Sequence, residues 1–448
     1  MIPRSRPGRV AWSGWIRTAC LLLSLGIACA RPSAIPDLTG EVDHWKREAS
    51  ELRGLEFLAP VQVQWIQSAE IPDIARAEVE DQFSPGYVEA YRDAYAALGL
   101  LPKDLDLLET VLALQADQLV GLYSVARRTL YVVVNRPGEL GPPMILVHEL
   151  VHALQHQHFP DLVSVLQGVK HSDDLVSALS AVLEGDASLT MLAVDDPTED
   201  ARGLRAADRF KTAMLVDLEH ANGLLAEVPL LLRVSLIAPY AHGVVIAAER
   251  YTVAGDAGLD ELLRAPPLGT VQVLYPDVKG PIEFVRLPLE WLEARVQPEG
   301  CALGHHNTAG ALTLQVFFEQ FAPGLETEPL LRRWRGDRFL HLACEDGDRL
   351  LWVLRWEDAE SARAFADAFR IAAPAAAKAA ALPAVAVVQV AGRDTLVVSP
   401  RLRPLADEFL SRTEIRPYAT FSDWVAAGCF PEPECPEADG DGAGPELR

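Results

Sequence analysis

The chain of 448 residues lacks an excess of positive charge. Its 40 lysines and arginines are outnumbered by 63 aspartates and glutamates, which gives a formal net charge of −23. Nucleic acids and anionic membrane surfaces are bound through basic faces, so this balance argues against both as partners. Beyond the first thirty residues we find no apolar run that approaches membrane-spanning length. Half of the residues are hydrophobic, enough for a core of two-domain size.

Cysteine is also scarce, with six residues in the whole chain. Four of them lie beyond residue 30, and their spacing does not match a metal-binding cluster. In an oxidising compartment an even set favours disulfides, and four cysteines allow three pairings. We predict the pairs Cys301–Cys344 and Cys429–Cys435, the second closing a proline-rich loop.

The first thirty residues have the features of an export signal. Four arginines with no acid among them precede an apolar run over residues 18–30, which is too short to span a bilayer and suits a signal core. Two endings fit: cleavage after Ala30, or a lipobox in which Cys29 carries the lipid. We therefore expect an exported protein, either periplasmic or secreted or a cell-envelope lipoprotein, that meets the membrane only through an anchor at Cys29.

The remaining sequence predicts an α+β fold in two parts. Residues 31–289 are mainly helical, and residues 290–412, where helices and strands alternate, predict a smaller C-terminal α+β domain. The tail 413–448 contains two cysteines and ends in a polar, partly disordered segment. Within the first part the pattern predicts helices with proline breaks over 41–115, a hairpin over Leu119–Asn135, and helices at about 144–158, 172–194 (with Ser172 as N-cap) and 203–265.

One helix carries a metal-binding pattern, His148-Glu149-Leu150-Val151-His152. Histidines four residues apart lie one turn apart on the same helical face, so both rings can reach one ion. Glu149 follows the first histidine and projects beside the ion, from where it can take a proton from a zinc-activated water. A hairpin, a short Gly/Pro connection and an apolar helix with this motif are the arrangement of zinc peptidases of the zincin class.

Zinc in such sites needs a third protein ligand, and Glu184 is the preferred candidate. It lies on the next predicted helix, in the segment Glu184-Gly185-Asp186-Ala187. A glycine in mid-helix costs about 1 kcal/mol relative to alanine. A close approach of two helices around the metal would explain Gly185.

Other third ligands remain open. His158 has the spacing of the metzincin class, but that class needs a glycine where this chain has Gln155, and without it the helix has no reason to break. His171 and Asp174 are further alternatives. His156 is expected to line the end of the helix.

The segments HELVHALQHQHF (His148–Phe159) and EGDA (Glu184–Ala187) resemble a little-characterised family of bacterial and archaeal exported proteins and lipoproteins, taken to be metallopeptidases, with segments of the form HELTHALQDQHF and EGDA. The resemblance extends over most of the chain beyond the leader. Further similar segments are Val120–Val133, Pro239–Gly243, Ala265–Pro276, Trp334–Arg338 and Trp352–Ala366.

The resemblance implies His148, His152 and Glu184 as zinc ligands and Glu149 as the general base. Two segments depart from the family pattern: Leu268–Gln272, and Arg335, which stands where the family has a glycine. Thermolysin-type peptidases place an aspartate four residues after the ligand glutamate to orient a histidine. This chain has Ser188 there, and we expect Asp186 to take that role.

These observations predict a zinc-dependent hydrolase, a peptidase acting on a peptide or protein substrate. Tyr240 and His242 are candidates to stabilise the oxyanion, and the strand Thr129–Asn135 is a candidate edge for an extended substrate. The alternatives are hydrolysis of a non-peptide amide by the same site, or a catalytically silent binding or scaffold lipoprotein that keeps the fold.

Overall fold

The computed structural model of the protein describes residues 39–118, 121–134, 143–194, 199–221, 223–380 and 386–428. Within these ranges the fold is α+β, as predicted. The helices are α1 Thr39–Arg53, α2 Ile71–Gln82, α3 Tyr87–Ala97, α4 Leu107–Gln118, α5 Pro143–His158, α6 Pro160–Gly168, α7 Asp173–Met191, α8 Leu204–Glu219, α9 Leu224–Glu227, α10 Leu230–Ala254, α11 Asp256–Arg264, α12 Thr270–Leu274, α13 Leu289–Val296, α14 Gly310–Phe321, α15 Glu328–Leu331, α16 Ala359–Ala379, α17 Ala406–Arg412 and α18 Phe421–Ala426. The strands are β1 Gln62–Ile66, β2 Gly121–Ser124, β3 Thr129–Val133, β4 Ile282–Arg286, β5 Cys301–Asn307, β6 Trp334–Cys344, β7 Arg349–Trp356, β8 Val387–Ala391, β9 Asp394–Val398 and β10 Glu414–Tyr418.

The predicted hairpin is confirmed, because β2 and β3 pair antiparallel. Sequence reasoning missed β1, although the alternation Gln-Val-Gln-Trp-Ile has the strand period of two. β1 pairs parallel to β3, giving the order β1-β3-β2. The expectation that the strand at Thr129–Asn135 offers a free edge is therefore wrong: β3 is the central strand, and β1 and β2 are the two outer strands.

Helices α5 and α7 lie close to their predicted bounds. Two local expectations in the first part of the chain need correction. Pro72 does not break a helix but occupies the first turn of α2, where its missing N–H costs nothing. Ser172 precedes α7 but makes no side-chain cap. The amide of Asp173 instead donates to the side-chain oxygen of Asn307, 2.9 Å away, so a residue distant in sequence caps this helix.

A five-stranded antiparallel sheet of order β5-β6-β7-β9-β8 forms the larger part of the C-terminal half. Both faces are buried: along β7, Trp352 and Leu354 enter one core cluster while Leu351 and Val353 enter another. This explains why β7 is apolar without alternation. The predicted disulfide Cys301–Cys344 is confirmed and joins β5 to β6.

The main hydrophobic core contains residues from both predicted parts of the chain, from Ala94 in α3 to Trp424 in α18. The predicted boundary near residue 290 stays a prediction. The leader, the pair Cys429–Cys435 and the end of the tail lie outside the described residues.

The expectation about long apolar segments needs a correction. Helix α10 is long and apolar enough to cross a membrane by length and composition, whereas we expected no such run beyond the leader. Half of its most apolar window is buried inside the protein, and the helix packs against α7 and α8. This is the pattern of the core helix of a folded domain, which meets the same length and hydropathy criteria.

Two glycines allow α7 and α10 to touch through their backbones. A Cβ atom placed on Gly185 would lie 2.2 Å from the carbonyl oxygen of Gly243, and one on Gly243 would lie 2.0 Å from the carbonyl oxygen of Ala181. Neither helix accepts a side chain at this crossing. The close approach expected from Gly185 is therefore present, and its partner is α10.

We predict that Gly243→Ala lowers the free energy of unfolding by about 1–3 kcal/mol, because the new methyl group forces the two backbones apart. Gly40→Ala in α1 is the matched control, since a Cβ there meets no atom within 4 Å. Denaturant unfolding of both variants measures the difference. Equal stability of the two variants would contradict the crossing.

A buried carboxyl group, Asp174, gives a second prediction. Burial raises its pKa to about 7, against hydrogen bonds from the amide and hydroxyl of Thr270 and with a further rise from the charge of Asp337. Since the folded state favours the protonated form, this contribution to stability is full below the unfolded pKa of about 4 and is lost as the pH rises through about 7.

Asp174→Asn, which stays neutral, should therefore flatten the fall in unfolding free energy between about pH 4 and pH 7. Asp423→Asn, at an exposed position, serves as the control for removing one charge. Denaturant titrations across this pH range give the slopes. Parallel curves for Asp174→Asn and the unmodified protein would refute the assignment.

Candidate metal centre

Helix α5 brings two imidazole rings together. His148 and His152 lie one turn apart with ring centroids 4.8 Å apart, and their Nε2 atoms are 3.1 Å from each other. The rest of this helix is largely buried against α1, α7 and the hairpin, so the rings have little freedom to turn away. Both nitrogens face the same small space.

Helix α7 supplies the third group. Glu184 Oε2 lies 3.0 Å from Nε2 of His148 and 3.4 Å from Nε2 of His152. Ligands that surround zinc tetrahedrally at about 2.0–2.1 Å are separated from one another by about 3.3 Å. The three observed separations of 3.0–3.4 Å therefore fit the three protein corners of such a tetrahedron.

The electrostatics of the three groups favour a cation between them. Glu184 has a pKa well below its usual value although burial opposes this, because the charges and hydrogen bonds of both histidines stabilise its ionised form. Burial is the largest single effect on His152 and lowers its pKa, but the charges of Glu184 and Glu149 and the hydrogen bonds to Glu184 and Gln155 together raise the pKa to about 9. Two imidazole nitrogens and one carboxylate oxygen are a donor set that suits zinc.

A buried chain of hydrogen bonds orients His152. Its Nδ1 donates to Oε1 of Gln155 (2.8 Å), whose Nε2 donates to the carbonyl of Leu183 and to Asp186, each at 2.9 Å. Because the amide nitrogen of Gln155 is engaged by two acceptors, its oxygen must accept, which leaves Nε2 of His152 free for a metal. Arg53 closes the chain with Nε 2.7 Å from Asp186 and a second nitrogen 2.8 Å from Asp260.

Asp186 was expected to orient a ligand, and it acts on His152 only through Gln155. Sequence reasoning treated Gln155 as the residue that lets the helix continue, and gave Arg53 no role. The sequence signal for this chain was weak. Gln155 lies three residues after His152, and Asp186 lies two residues after Glu184. Nδ1 of His148, in contrast, is buried and finds no partner among the described residues.

Glu149 lies beside the three groups and not among them. Its Oε2 accepts from the amide of Tyr123 at 2.8 Å, which ties the carboxylate to the outer strand β2. Burial raises its pKa, against the neighbouring charges of His152 and His148 and against this hydrogen bond. Gly121 faces Glu149, and a Cβ there would lie 3.3 Å from Cγ of the glutamate.

The structure separates the two oxyanion candidates. The Tyr240 ring stacks on His148 with centroids 5.9 Å apart, and its pKa is raised well above the usual value by the charge of Glu184, by burial and by a hydrogen bond to Glu184. His242 lies two residues further along α10 and so points to another side of the helix. Burial and the charge of Lys211 lower its pKa to about 4, and it does not join the candidate group His148, His152 and Glu184.

The alternative third ligands lie elsewhere. His158 Nε2 is 2.7 Å from the carbonyl oxygen of Glu56, and α5 runs unbroken to His158 as its glutamine implied. His171 contacts the rings of His305 and His306, and Asp174 is bound by Thr270. His156, at the helix end as expected, lies 3.0 Å from the hydroxyl of Tyr123.

Comparison with known families adds one match. Residues 300–405 match a family model described as a domain of unknown function (DUF8575). This segment holds the whole five-stranded sheet with α14 and α16, and it contains none of the residues of the candidate metal centre. No curated protein and no solved structure matches the chain.

We predict that Gln155→Met weakens zinc binding about 10–100-fold, because His152 loses the acceptor that fixes its ring. Gln157→Met is the matched control on the same helix, since the hydrogen bonds of Gln157 within the described ranges go to the backbone of Leu58 and Ala59 at the surface. Competition with a chromogenic chelator at constant pH measures both affinities. Equal affinities in the two variants would remove Gln155 from the site.

Proposed function

We propose that the protein is a zinc-dependent hydrolase, and specifically a peptidase. The observation that carries the proposal is the convergence of His148, His152 and Glu184 at tetrahedral separations, with the carboxylate of Glu149 next to them. When bound there, zinc would polarise a carbonyl group and make a water molecule acidic enough to attack it near neutral pH.

The protein groups around this site support the proton transfers of hydrolysis. Glu149 holds one oxygen against the amide of Tyr123, which leaves the other available to accept a proton from the attacking water and pass it to the leaving amine. The raised pKa of Glu149 lies closer to neutral pH than that of an ordinary carboxyl group. This favours both the uptake of the proton and its later release. The hydroxyl of Tyr240 donates toward Glu184 and is a candidate donor for a developing oxyanion.

A zincin-like identity is the finer part of the proposal. The order of hairpin, short connection and motif-bearing helix supports it, as does the third ligand on the following long helix α7. The resemblance of the HELVHALQHQHF and EGDA segments to exported metallopeptidases points the same way. Hydrolysis of a non-peptide amide would use the same groups, so a substrate panel must contain both kinds of amide.

Export is the corresponding proposal for location. The confirmed disulfide Cys301–Cys344 supports an oxidising compartment, in agreement with the arginine-flanked apolar leader. In this picture the partner is a peptide or protein substrate met outside the cytosol, and a membrane is involved only if Cys29 carries a lipid.

We predict that Glu149→Gln lowers turnover of a cleaved peptide by about 10²–10⁴-fold while one zinc per chain remains bound, because it removes the proton acceptor but no ligand. Glu360→Gln, exposed in the first turn of α16, should keep full activity. Mass spectrometry of a mixed peptide library and metal analysis of both variants provide the measurements.

One outcome would decide for a silent scaffold. If the zinc-loaded protein cleaves neither peptides nor other amides, a binding role for the fold replaces the enzyme. Full activity of Glu149→Gln would instead leave zinc hydrolysis in place and assign the proton transfer to another group.

A further inference from the structure

The accessible side chains of α7 lie on one face that leads to the metal centre. From Asp173 to Thr190 the half-buried residues are Asp173, Val176, Ser177, Ser180 and Glu184, and all the others are buried. Spacings of three and four residues place these five on a single side of the helix. Helix α7 is therefore accessible along this one face and buried on its other sides. Glu184 lies at the end of the face that reaches the metal centre.

A cavity of about 200 Å³ lies along this face. It holds several water molecules or one long side chain. Its lining ends beside the metal centre, because Ser180 precedes Glu184 by one turn and Pro239 is the neighbour of Tyr240. Its polar walls come from Asp173, Ser177 and Ser180 of α7, Ser235 of α10, and Tyr91 and Tyr95 of α3.

Asp173 stands at the far end of the cavity, where the hydroxyl groups of two tyrosines hold its carboxylate. Its Oδ2 accepts from the hydroxyls of Tyr91 and Tyr95, each at 2.5 Å. Among the described residues no lysine or arginine forms an ion pair with it. Burial raises its pKa, opposed by these hydrogen bonds, by Asn307 and by the charge of His171. A half-buried carboxylate held by neutral donors gains most from a cation that enters with a ligand.

A second acceptor lies on the opposite wall. Pro239 is inside α10 and has no N–H, so the carbonyl of Ser235, four residues earlier, lacks its usual helical donor. Both residues line the cavity. The cavity thus offers a carboxylate, a freed carbonyl and serine hydroxyls, all of which accept hydrogen bonds from an ammonium group.

We propose that this cleft binds the substrate beside the cleaved bond and that Asp173 recognises an ammonium group on it. The inference rests on the proposed peptidase function. The ammonium belongs either to a lysine side chain or to the amino terminus of the peptide, and the chemistry of recognition is the same.

The geometry of α7 sets the spacing between the two sites. Asp173 and Glu184 are eleven positions apart on α7, which corresponds to about 16 Å along the helix axis. An extended peptide advances about 3.3 Å per residue, and a lysine side chain covers part of the distance. The ammonium-bearing residue therefore lies about three to five residues from the cleaved bond.

Binding of defined peptides tests this directly. The probes are fluorescein-labelled decapeptides of alanine and serine, acetylated, with one lysine moved along the chain, each paired with its norleucine counterpart. A lysine-free peptide with a free amino terminus tests the second source of the ammonium. Anisotropy is measured on the Glu149→Gln protein, so affinities are obtained whether or not the unmodified protein cleaves the probes.

We expect lysine at one or two adjacent positions, or the free amino terminus, to tighten binding about tenfold or more, the size of one charge-assisted hydrogen bond. Asp173→Asn should remove this preference, and Asp423→Asn, which also deletes one negative charge at an exposed site, should keep it. Ser177→Lys is a second test, since it places an internal ammonium one turn from Asp173 and should remove the preference without deleting the carboxylate.

The two proposals fail in different ways. Equal affinity for lysine and norleucine peptides at every position, absence of peptide binding, or an unchanged preference in both Asp173→Asn and Ser177→Lys would overturn recognition by Asp173, even if the protein cleaves peptides. Cleavage of no amide, with lysine preference present and lost in the variants, would leave the cleft intact and remove the peptidase.

Discussion

The backbone contact between α7 and α10 is the constraint on which the site depends. Because Gly185 and Gly243 have no side chains, the two helices cross at a distance that a Cβ atom on either residue would prevent. Glu184 precedes one glycine, and Tyr240 lies one turn before the other, so the same crossing places the candidate ligand, the tyrosine hydroxyl and the inner end of the cleft together. Close backbone packing therefore lies where the chemistry is proposed.

The grouping of the three candidate ligands could be predicted from sequence because it follows from local rules. Two histidines four apart must share a helical face, and a mid-helix glycine next to a glutamate indicates a close neighbour. The hairpin and the C-terminal strands could be predicted from short runs of β-branched and aromatic residues, which are also a local signal. Glu149 needs only its place after His148 to be identified.

The parts that could not be predicted depend on contacts between residues distant in sequence. Nothing local indicates that Arg53 reaches Asp186, or that Asn307 rather than Ser172 caps α7. The central position of β3 could be predicted only if β1 was predicted first. β1 lies in a segment whose prolines indicated breaks between helices, and its strand pattern was missed. Tyr240 and His242 are both candidates because they stand just before Gly243 in a helical region, yet two residues along a helix separate side chains by more than half a turn.

Glu184 and Asp173 lie on the same face of α7, but their carboxylates have different neighbours. Glu184 is met by two imidazoles that can give way to a metal ion, whereas Asp173 is met by two tyrosines that remain neutral in this setting. A neutral cradle leaves the negative charge of Asp173 available, while a metal would neutralise that of Glu184. The same face can therefore hold a resident cation at one end and select a cationic ligand at the other. The two serines between them suit the polar backbone of whatever spans the gap.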